Sequence, residues 1–538
     1  MSAAGSATAA PQRPAYFETG WTNGHNPWAI ALVVTMATFM EVLDTSIANV
    51  SLPHIAGNLS VSQDEGTWVL TSYLVSNAVI LPISGWIASK VGRKRFYMSC
   101  VVLFTTSSFL CGIAPSLGAL IFFRVLQGLG GGGLGPSEQA ILADTFPPAK
   151  RGMAFAVYGM AVVLAPAIGP TLGGFITDHF NWRWIFFINV PVGLISLTLT
   201  QRLVSDPPHV VAAKAKTGGI DYIGLALIAV GLGALEIVLD KGQEDEWFAS
   251  PFITLSSVVA AVALISFVLW ERKQEHPVVD VNMFKNRNFA AANVMMLTLG
   301  VALFGSTVLL PQYLQVLMGY TAQQSGMALS PGGFVVILLL PFVGMLVSRV
   351  DNRYMIGFGF VMLSWSLFYI TRHLYEGIDF RTAVELRIFQ SIGLPFLFIP
   401  INTLVYAGVP PEKNNAVSGI VNLSRNMGGD IGIAAVTTLI ARRTQFHQDI
   451  LVSRTHNYDP TFTARLAGLT QTFERAGSSA FDATKKAMAL LYFQVQRQAT
   501  TLAFLDAVRM LAVATALMIP LLFLTRRPPR AGGAPAAH

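Results

Sequence analysis

Charge is what this sequence has least of. Only 12% of its 538 residues are Asp, Glu, Lys or Arg, about half the share of an ordinary globular domain. That is too little to coat a water-soluble protein of this length, so a soluble enzyme or binding module is excluded. Cysteine is nearly absent. Cys100 and Cys111 are the only two, eleven positions apart in one apolar run. On a helix that spacing leaves them about 16 Å apart, beyond disulfide reach. The chain carries no paired-cysteine metal site, no His-Glu-x-x-His zinc motif and no Walker phosphate loop. No cofactor or metal is therefore expected, and work must be driven by an ion gradient or by the solute's own gradient. A signal peptide is lacking too. The first 27 residues are rich in Pro, Ala, Ser and Gly with Arg13 as their one basic residue, and the apolar run that follows is too long and carries acids. They are expected to form a disordered cytoplasmic tail.

Apolar residues are what the chain has in abundance: 53% of the total, with a mean hydropathy of +0.54. Runs of about 20 apolar residues, the length that crosses a bilayer as a helix, recur from end to end. Fourteen spans are expected, near 28–52, 67–88, 97–114, 118–142, 152–177, 184–203, 220–239, 250–270, 289–316, 324–348, 354–375, 383–408, 415–440 and 500–525. An even count puts both termini on one side. On that side lie twenty Lys and Arg, against four (Arg183, Lys241, Arg372 and Arg381) in the short opposite loops. By the positive-inside rule the termini are cytoplasmic. The formal charge of +7 thus reports membrane topology and not a nucleic-acid partner. The fold class is an all-α polytopic membrane protein.

The chain also repeats itself. Gly85–Lys94 at the end of span 2 is matched by Gly344–Arg353 at the end of span 10. Arg124-Val-Leu-Gln-Gly-Leu-Gly130 in span 4 is matched by Arg387-Ile-Phe-Gln-Ser-Ile-Gly393 in span 12. Leu52-Pro53 is matched by Leu310-Pro311. The three offsets, 259, 263 and 258 positions, agree closely enough to imply two six-helix bundles in the same orientation. These are 28–203 and 289–525, with two inserted helices over 220–270 between them and a cytoplasmic tail over 526–538. Within the second bundle, 441–499 is expected to be a long outer loop whose later part, about Phe481 to Gln498, is an amphipathic helix. It is either a mobile loop, or a docking surface for a partner or a cap over the exit.

The chemistry centres on Asp44, late in span 1. An acid there costs about 2.5–3.5 kcal/mol on insertion scales. It either pairs structurally with an arginine or carries protons along a transport path. Asp44 lies about eight residues before the outer end of span 1, and Arg124 about six after the outer end of span 4. Both sit about 9–12 Å below one boundary, where they can face each other. A nearby cation favours the carboxylate and desolvation the neutral acid, a balance that rocking helices could tip. Glu41, one turn deeper, could share the proton. Span 13 offers Asn422, Arg425 and Asn426 on one face, and Asp430 five beyond Arg425. These are candidates for coupling, for substrate contact or for polar glue between helices. Arg387 and Gln390 mirror Arg124 and Gln127 but lack an acid in span 9, and read as structural. Glu138, near the inner end of span 4, could line an inward-open cavity or be solvated. In span 5, Ala165, Gly169 and Gly173 form a stripe for close packing, and Pro166 and Pro170 bend the helix.

These residues resemble the major facilitator superfamily, and within it the fourteen-span drug:proton antiporter branch of EmrB/QacA type. The resemblance covers almost the whole chain. Gly85 to Arg95, including Gly92 and Arg93, is similar to the loop 2–3 signature of the superfamily, except that Ser89 stands where an aspartate is usual. Arg124, Gln127 and Gly128 match the span 4 signature, and Gly159, Pro166, Gly169, Pro170, Gly173 and Gly174 the antiporter signature of span 5. Leu43-Asp44-Thr45 through Leu52-Pro53, Trp182–Gly193 and Met283–Phe289 also look typical of the branch. The resemblance implies a secondary active transporter and not an enzyme, with Asp44, Glu41, Arg124, Arg425 and Asp430 as proton-coupling candidates. It implies a gating role for Gly85, Gly92, Arg93 and the span 5 positions. The substrate cavity would lie between the halves, with Gln127, Glu138, Phe304, Gln312, Tyr313, Asn402, Asn422 and Asn426 as candidate lining. Substrates would be hydrophobic or amphipathic toxic compounds, or instead one fatty acid or lipid. A receptor or scaffold that does not transport is the reading from another class. The segment around Gln498–Ala507 is closer to the EmrB-like pumps. That implies a bacterial inner membrane, an EmrA-like periplasmic adaptor and an outer-membrane channel, with 441–499 as the adaptor contact.

Overall fold

The computed structural model describes residues 20–524, apart from 23, 209, 212–220, 276, 408, 454, 456 and 457. Most of the tail expected over 1–27, and all of that over 526–538, lie outside them. Every regular element among the described residues is helical.

The first bundle begins with α1 (Pro27–Leu59), which has Pro in its first turn and the Asn26 side chain accepting from the Trp28 N–H. It stops at Ser60 in the left-handed region. α2 (Gln63–Val91) opens on a capping box, Ser62 and Glu65 exchanging bonds. α3 (Arg93–Gly112) follows directly. The expected span 4 is two helices, α4 (Leu117–Gly131) and α5 (Leu134–Thr145). They meet at the run Gly130–Gly133, which lies against the backbones and side chains of α2 and α3. α6 (Arg151–His179) bends by 43° between Pro166 and Ile168, where the two prolines remove hydrogen bonds from the helix ladder. α7 (Trp184–Phe187) and α8 (Asn189–Leu203) complete the bundle.

α9 (Tyr222–Lys241) and α10 (Pro251–Glu271) are the inserted pair. The second bundle comprises α11 (Arg287–Gln312, continued by a π turn over Tyr313–Leu317), α12 (Ala322–Leu346), α13 (Asn352–His373), α14 (Phe380–Val405), α15 (Asn414–Val452), α16 (Pro460–Arg475) and α17 (Ala480–Ala516). Eleven of the helical segments are long and apolar enough to cross a membrane, and twelve with the bent α6. α3 and α15 are helices of 20 and 39 residues that fall short on apolarity. α3 starts Arg93-Lys-Arg95 and is rich in Ser and Thr, and α15 carries Asn414, Asn415, Asn422, Arg425, Asn426 and Asp430. Many of these polar groups are buried against other helices, where protein and not lipid satisfies them.

Helix pairing repeats between the halves. α1 packs on α6 and α8, α2 on α4, and α3 on α4 and α8. In the second half α11 packs on α15 and α17, α12 on α14, and α13 on α14 and α17. The halves meet along two seams, α2 against α15 and α6 against α12. The inserted α9 lies on both α2 and α15, so the pair roofs one seam.

The expected outer loop over 441–499 is a correction. α15 continues to Val452, α16 is a helix, and α17 runs unbroken from Ala480 into the last span. The extension is pinned at Asp506, which accepts from Arg443 Nε at 2.6 Å and meets His447 Nε2 at 2.8 Å. α16 packs on α17. Polar helices over this stretch lack a long apolar run to mark them, although Phe462, Leu466, Leu469 and Phe473 in α16 recur at helical spacing.

Candidate functional site

Asp44 is 2% exposed and receives three donors, two from α4 and one from α8. Arg124 Nη1 donates to its Oδ2 at 2.6 Å. Gln127 Nε2 and Asn189 Nδ2 donate to its Oδ1 at 3.0 and 2.7 Å. Arg124 is wholly buried. Its Nε donates to the Val69 carbonyl at 3.0 Å and its Nη1 to Gln127 Oε1 at 2.8 Å, and its guanidinium lies 4.3 Å from the Tyr73 ring centre. α1, α2, α4 and α8 thus converge on one ion pair in a water-poor interior. Charge-assisted bonds there are strong, and the loss of either partner leaves a stranded charge. Gln127, a cavity candidate by sequence, is part of this cluster inside the first bundle and does not face the space between halves. Asn189 was not singled out by sequence. Its one signal was an amide in the otherwise apolar Trp184–Gly193 stretch.

The same face of α1 continues as a polar ladder of Asp44, Glu41, Thr38 and Thr35, three residues apart. Glu41 Oε1 accepts from Tyr73 Oη at 3.0 Å and Asn77 Nδ2 at 3.2 Å. Thr35 Oγ1 donates to Glu138 Oε1 at 2.5 Å. Glu138 is fully buried, with no hydrogen-bond partner for its Oε2, so the solvated alternative does not hold in this conformation.

Opposite the ladder stands Arg425 of α15, 8% exposed, the cation whose charge reaches both Glu41 and Glu138. It donates to Tyr158 Oη at 2.8 Å and, at 3.3 Å, to Asn426 Oδ1. Tyr158 in turn donates to Asn422 Oδ1 at 3.0 Å, and Asn422 Nδ2 to Gln139 Oε1 at 2.9 Å. This chain ties α15 in the second half to α6 and α5 in the first. Tyr158 and Gln139 were missed by sequence. A lone tyrosine in an apolar span reads as core until its partner from 267 positions away is in place. Phe398, one turn before Asn402 on α14, stacks on Tyr158 with ring centres 5.8 Å apart. Asn402 is buried and donates to the Phe398 carbonyl at 2.8 Å. Phe304 packs over Gly429. Gln312 has a buried Oε1 with no partner. Tyr313 is a correction to the cavity set: it is buried inside the second bundle with its ring 5.5 Å from Phe504 of α17, on the face of α11 that packs on α17. Asp430 does not reach Arg425. Its hydrogen-bonding neighbour is Glu236 of α9. Arg387 donates to Gln390 Oε1 at 2.8 Å, repeating the Arg124–Gln127 pair.

Gly85 lies where the backbones of α2 and α15 touch, and a Cβ there would stand 2.7 Å from the Asn415 carbonyl oxygen. Gly92 has φ +100°, which favours glycine. It turns Arg93 inward, onto Ala140 O at 2.9 Å and Asp144 Oδ2 at 2.5 Å. Asn414 Nδ2 donates to the other oxygen of Asp144 at 2.7 Å, a bond between halves at the end bearing the basic loops. Ser89 bonds only within its own turn, to Trp86 O at 2.7 Å. Gly169 and Gly173 seat α6 on Ser46 and Ile47 of α1. Among the described residues, no group of three or more His, Cys, Asp or Glu could hold a metal ion.

Comparison with known proteins matches this arrangement to a family. The Major Facilitator Superfamily profile matches residues 34–433. The multidrug export protein EmrB of Escherichia coli (strain K12) is 38% identical over 450 residues, 83% of this chain and 87% of that one. The fatty acid resistance protein FarB of Neisseria gonorrhoeae is 37% identical over 443 residues, 82% of this chain and 86% of that one. Among solved structures, the human organic anion transporter MFSD10 (TETRAN) has a TM-score of 0.59 at 12% identity, covering 93% of this chain and all of that one, a likeness of fold. Two matched bundles, the first built around a buried ion pair, at this level of identity, make the chain a multi-pass membrane protein of the major facilitator superfamily, a transporter of the EmrB type and not an enzyme.

Proposed function

We propose that the chain is a proton-coupled antiporter that exports hydrophobic or amphipathic toxic compounds across a bacterial inner membrane. The observation that carries this reading is the buried Asp44–Arg124 pair at the head of a polar ladder on α1 that runs through Glu41 to Thr35 and Glu138 of α5. A carboxylate so placed is expensive unless it is used. Protons would enter from the outer side at Asp44, pass by Glu41 and leave past Glu138. Substrate would bind between the halves, where Arg425, Tyr158, Asn422, Asn426, Asn402 and Phe304 supply polar and aromatic contacts. The multidrug export protein EmrB, at 38% identity, supports drug-like substrates. The chain would cross the membrane fourteen times with cytoplasmic termini, α3 and α15 among the spans. The helical extension over 441–499 would meet an EmrA-like adaptor that leads to an outer-membrane channel.

One observation favours a second reading, export of a specific fatty acid. Arg425 is a buried cation at the seam, suited to a substrate carboxylate, and FarB is a fatty acid resistance protein at 37% identity. Dye efflux from energised cells tests the first reading, with wild type, Asp44→Asn and Arg124→Ala, each with and without a protonophore. Collapse of wild-type efflux with the protonophore, and a well-expressed but inactive Asp44→Asn, are expected. Uphill pumping by Asp44→Asn would make Asp44 a structural residue only.

A further inference from the structure

The inserted helix α9 touches both halves, and it does so through carboxyl groups. On the side of the first bundle, Thr71 Oγ1 donates to Asp240 Oδ2. On the side of the second, where α9 packs on α15, the Glu236 carboxyl lies within hydrogen-bonding reach of that of Asp430, and Trp247 Nε1 donates to Thr438 Oγ1 at 3.1 Å just beyond the helix. Glu236 is 1% exposed, and its Oε2 has no hydrogen-bond partner. The nearby cation is turned away: Lys241 Nζ is engaged by Thr67 Oγ1 and by Glu244 at 2.6 Å, and lies over the Trp68 ring. Asp64 presents only its carbonyl to it. α10 brings no ionisable side chain before Glu271, at its far end. The groups facing the pair are therefore Asp240 from α9 and the hydroxyl of Thr71 from α2, with no neutralising cation.

Two carboxyl groups in hydrogen-bond contact need a proton between them, because two adjacent buried carboxylates repel and cannot both be ionised. Such a contact exists only while α9 and α15 are together. We propose that Glu236 and Asp430 form a shared-proton pair that latches the inserted helices to the second bundle, so that opening of the α2–α15 seam on this side releases or takes up a proton. Glu236 is a positioning residue here, acting through Asp430. The proposal rests on the antiport reading for its use in transport, and it assigns the inserted pair the work of a proton-dependent strap.

The full chain reconstituted in vesicles gives two readouts. Infrared difference spectra between acidic and alkaline pH should contain a protonated-carboxyl band, shifted in heavy water, that disappears in Glu236→Gln and equally in Asp430→Asn. Drug-driven proton flux, followed with a trapped pH dye, should lose its dependence on outside pH in either variant, with the double variant no worse than the single ones. An unchanged band in Glu236→Gln, or losses that multiply in the double variant, would overturn the pair. If Glu236→Gln fails to reach the membrane, Asp430→Asn carries the same test from the other helix. A wild type that moves drug without protons would defeat the antiport reading alone, and the infrared comparison would still decide the pair.

Discussion

At the scale of residues, energetics separates the members of the Asp44 cluster. Arg124→Ala strands a buried carboxylate and should destabilise the protein by about 3–5 kcal/mol, seen as a lower melting temperature in detergent and poor expression. Asn189→Ala removes one of three donors to that carboxylate and should cost about 1–3 kcal/mol, while leaving measurable efflux. Equal losses in the two variants would mean that Arg124 contributes only a hydrogen bond. Tyr158→Phe takes away the hydroxyl that links Arg425 to Asn422. It should weaken substrate binding, raising KM more than it lowers the maximal rate, in a transport assay with vesicles. The pairing of Asp44 with Arg124 was legible in the sequence, because two depths measured from the same membrane boundary can be compared without knowing the fold. Tyr158 and Glu236 were not legible. Their roles are set by partners more than a hundred positions away, and no periodicity within their own helices points to those partners.

At the scale of elements, the bends and close contacts follow from the residues that lack a side chain or an N–H. Gly85→Ala would press a methyl group onto the α15 backbone. The halves should then fail to close at the basic end, which accessibility labelling of a cysteine placed at Asn415 would report as increased reaction. Gly92→Ala forces a non-glycine residue to φ +100°, at a cost of about 1–3 kcal/mol, and should loosen Arg93 from Asp144. Undiminished thermal stability in that variant would show that the turn can relax. Helix positions were readable from apolar runs, and the break between α4 and α5 could have been read from the glycine run Gly130–Gly133. The earlier part of the 441–499 stretch was read as a loop because a helix outside the membrane needs no long apolar run. Its periodic Phe462, Leu466, Leu469 and Phe473, and the contacts with α17 and Asp506, disclose it. Tyr313 was misplaced because its neighbour Phe504 lies far along the chain on α17, and nothing in its own helix points to that contact.

At the scale of the whole molecule, the matched pairing of helices in the two bundles was visible in advance as three sequence offsets of nearly equal length. What the repeat did not reveal is its asymmetry. Arg387 and Gln390 keep the geometry of Arg124 and Gln127 but have no acid to hold, so the ion pair belongs to the first bundle alone. Excision of α9 and α10 should therefore do more than shorten the chain. It would leave Asp430 and Thr71 facing lipid without Glu236 and Asp240. A truncated protein that melts well below wild type, and recovers when Asp430 is also changed to Leu, is the expected result in a thermal unfolding series. The roof formed by the inserted pair has one more consequence. With α9 lying over the α2–α15 seam, and α12 of the α6–α12 seam exposing Phe334, Leu338, Phe342 and Met345, the transporter has a sheltered flank and one open to lipid. Bilayer thickness and lateral pressure press directly on a single hinge line, so a change of lipid acts on this molecule as a torque.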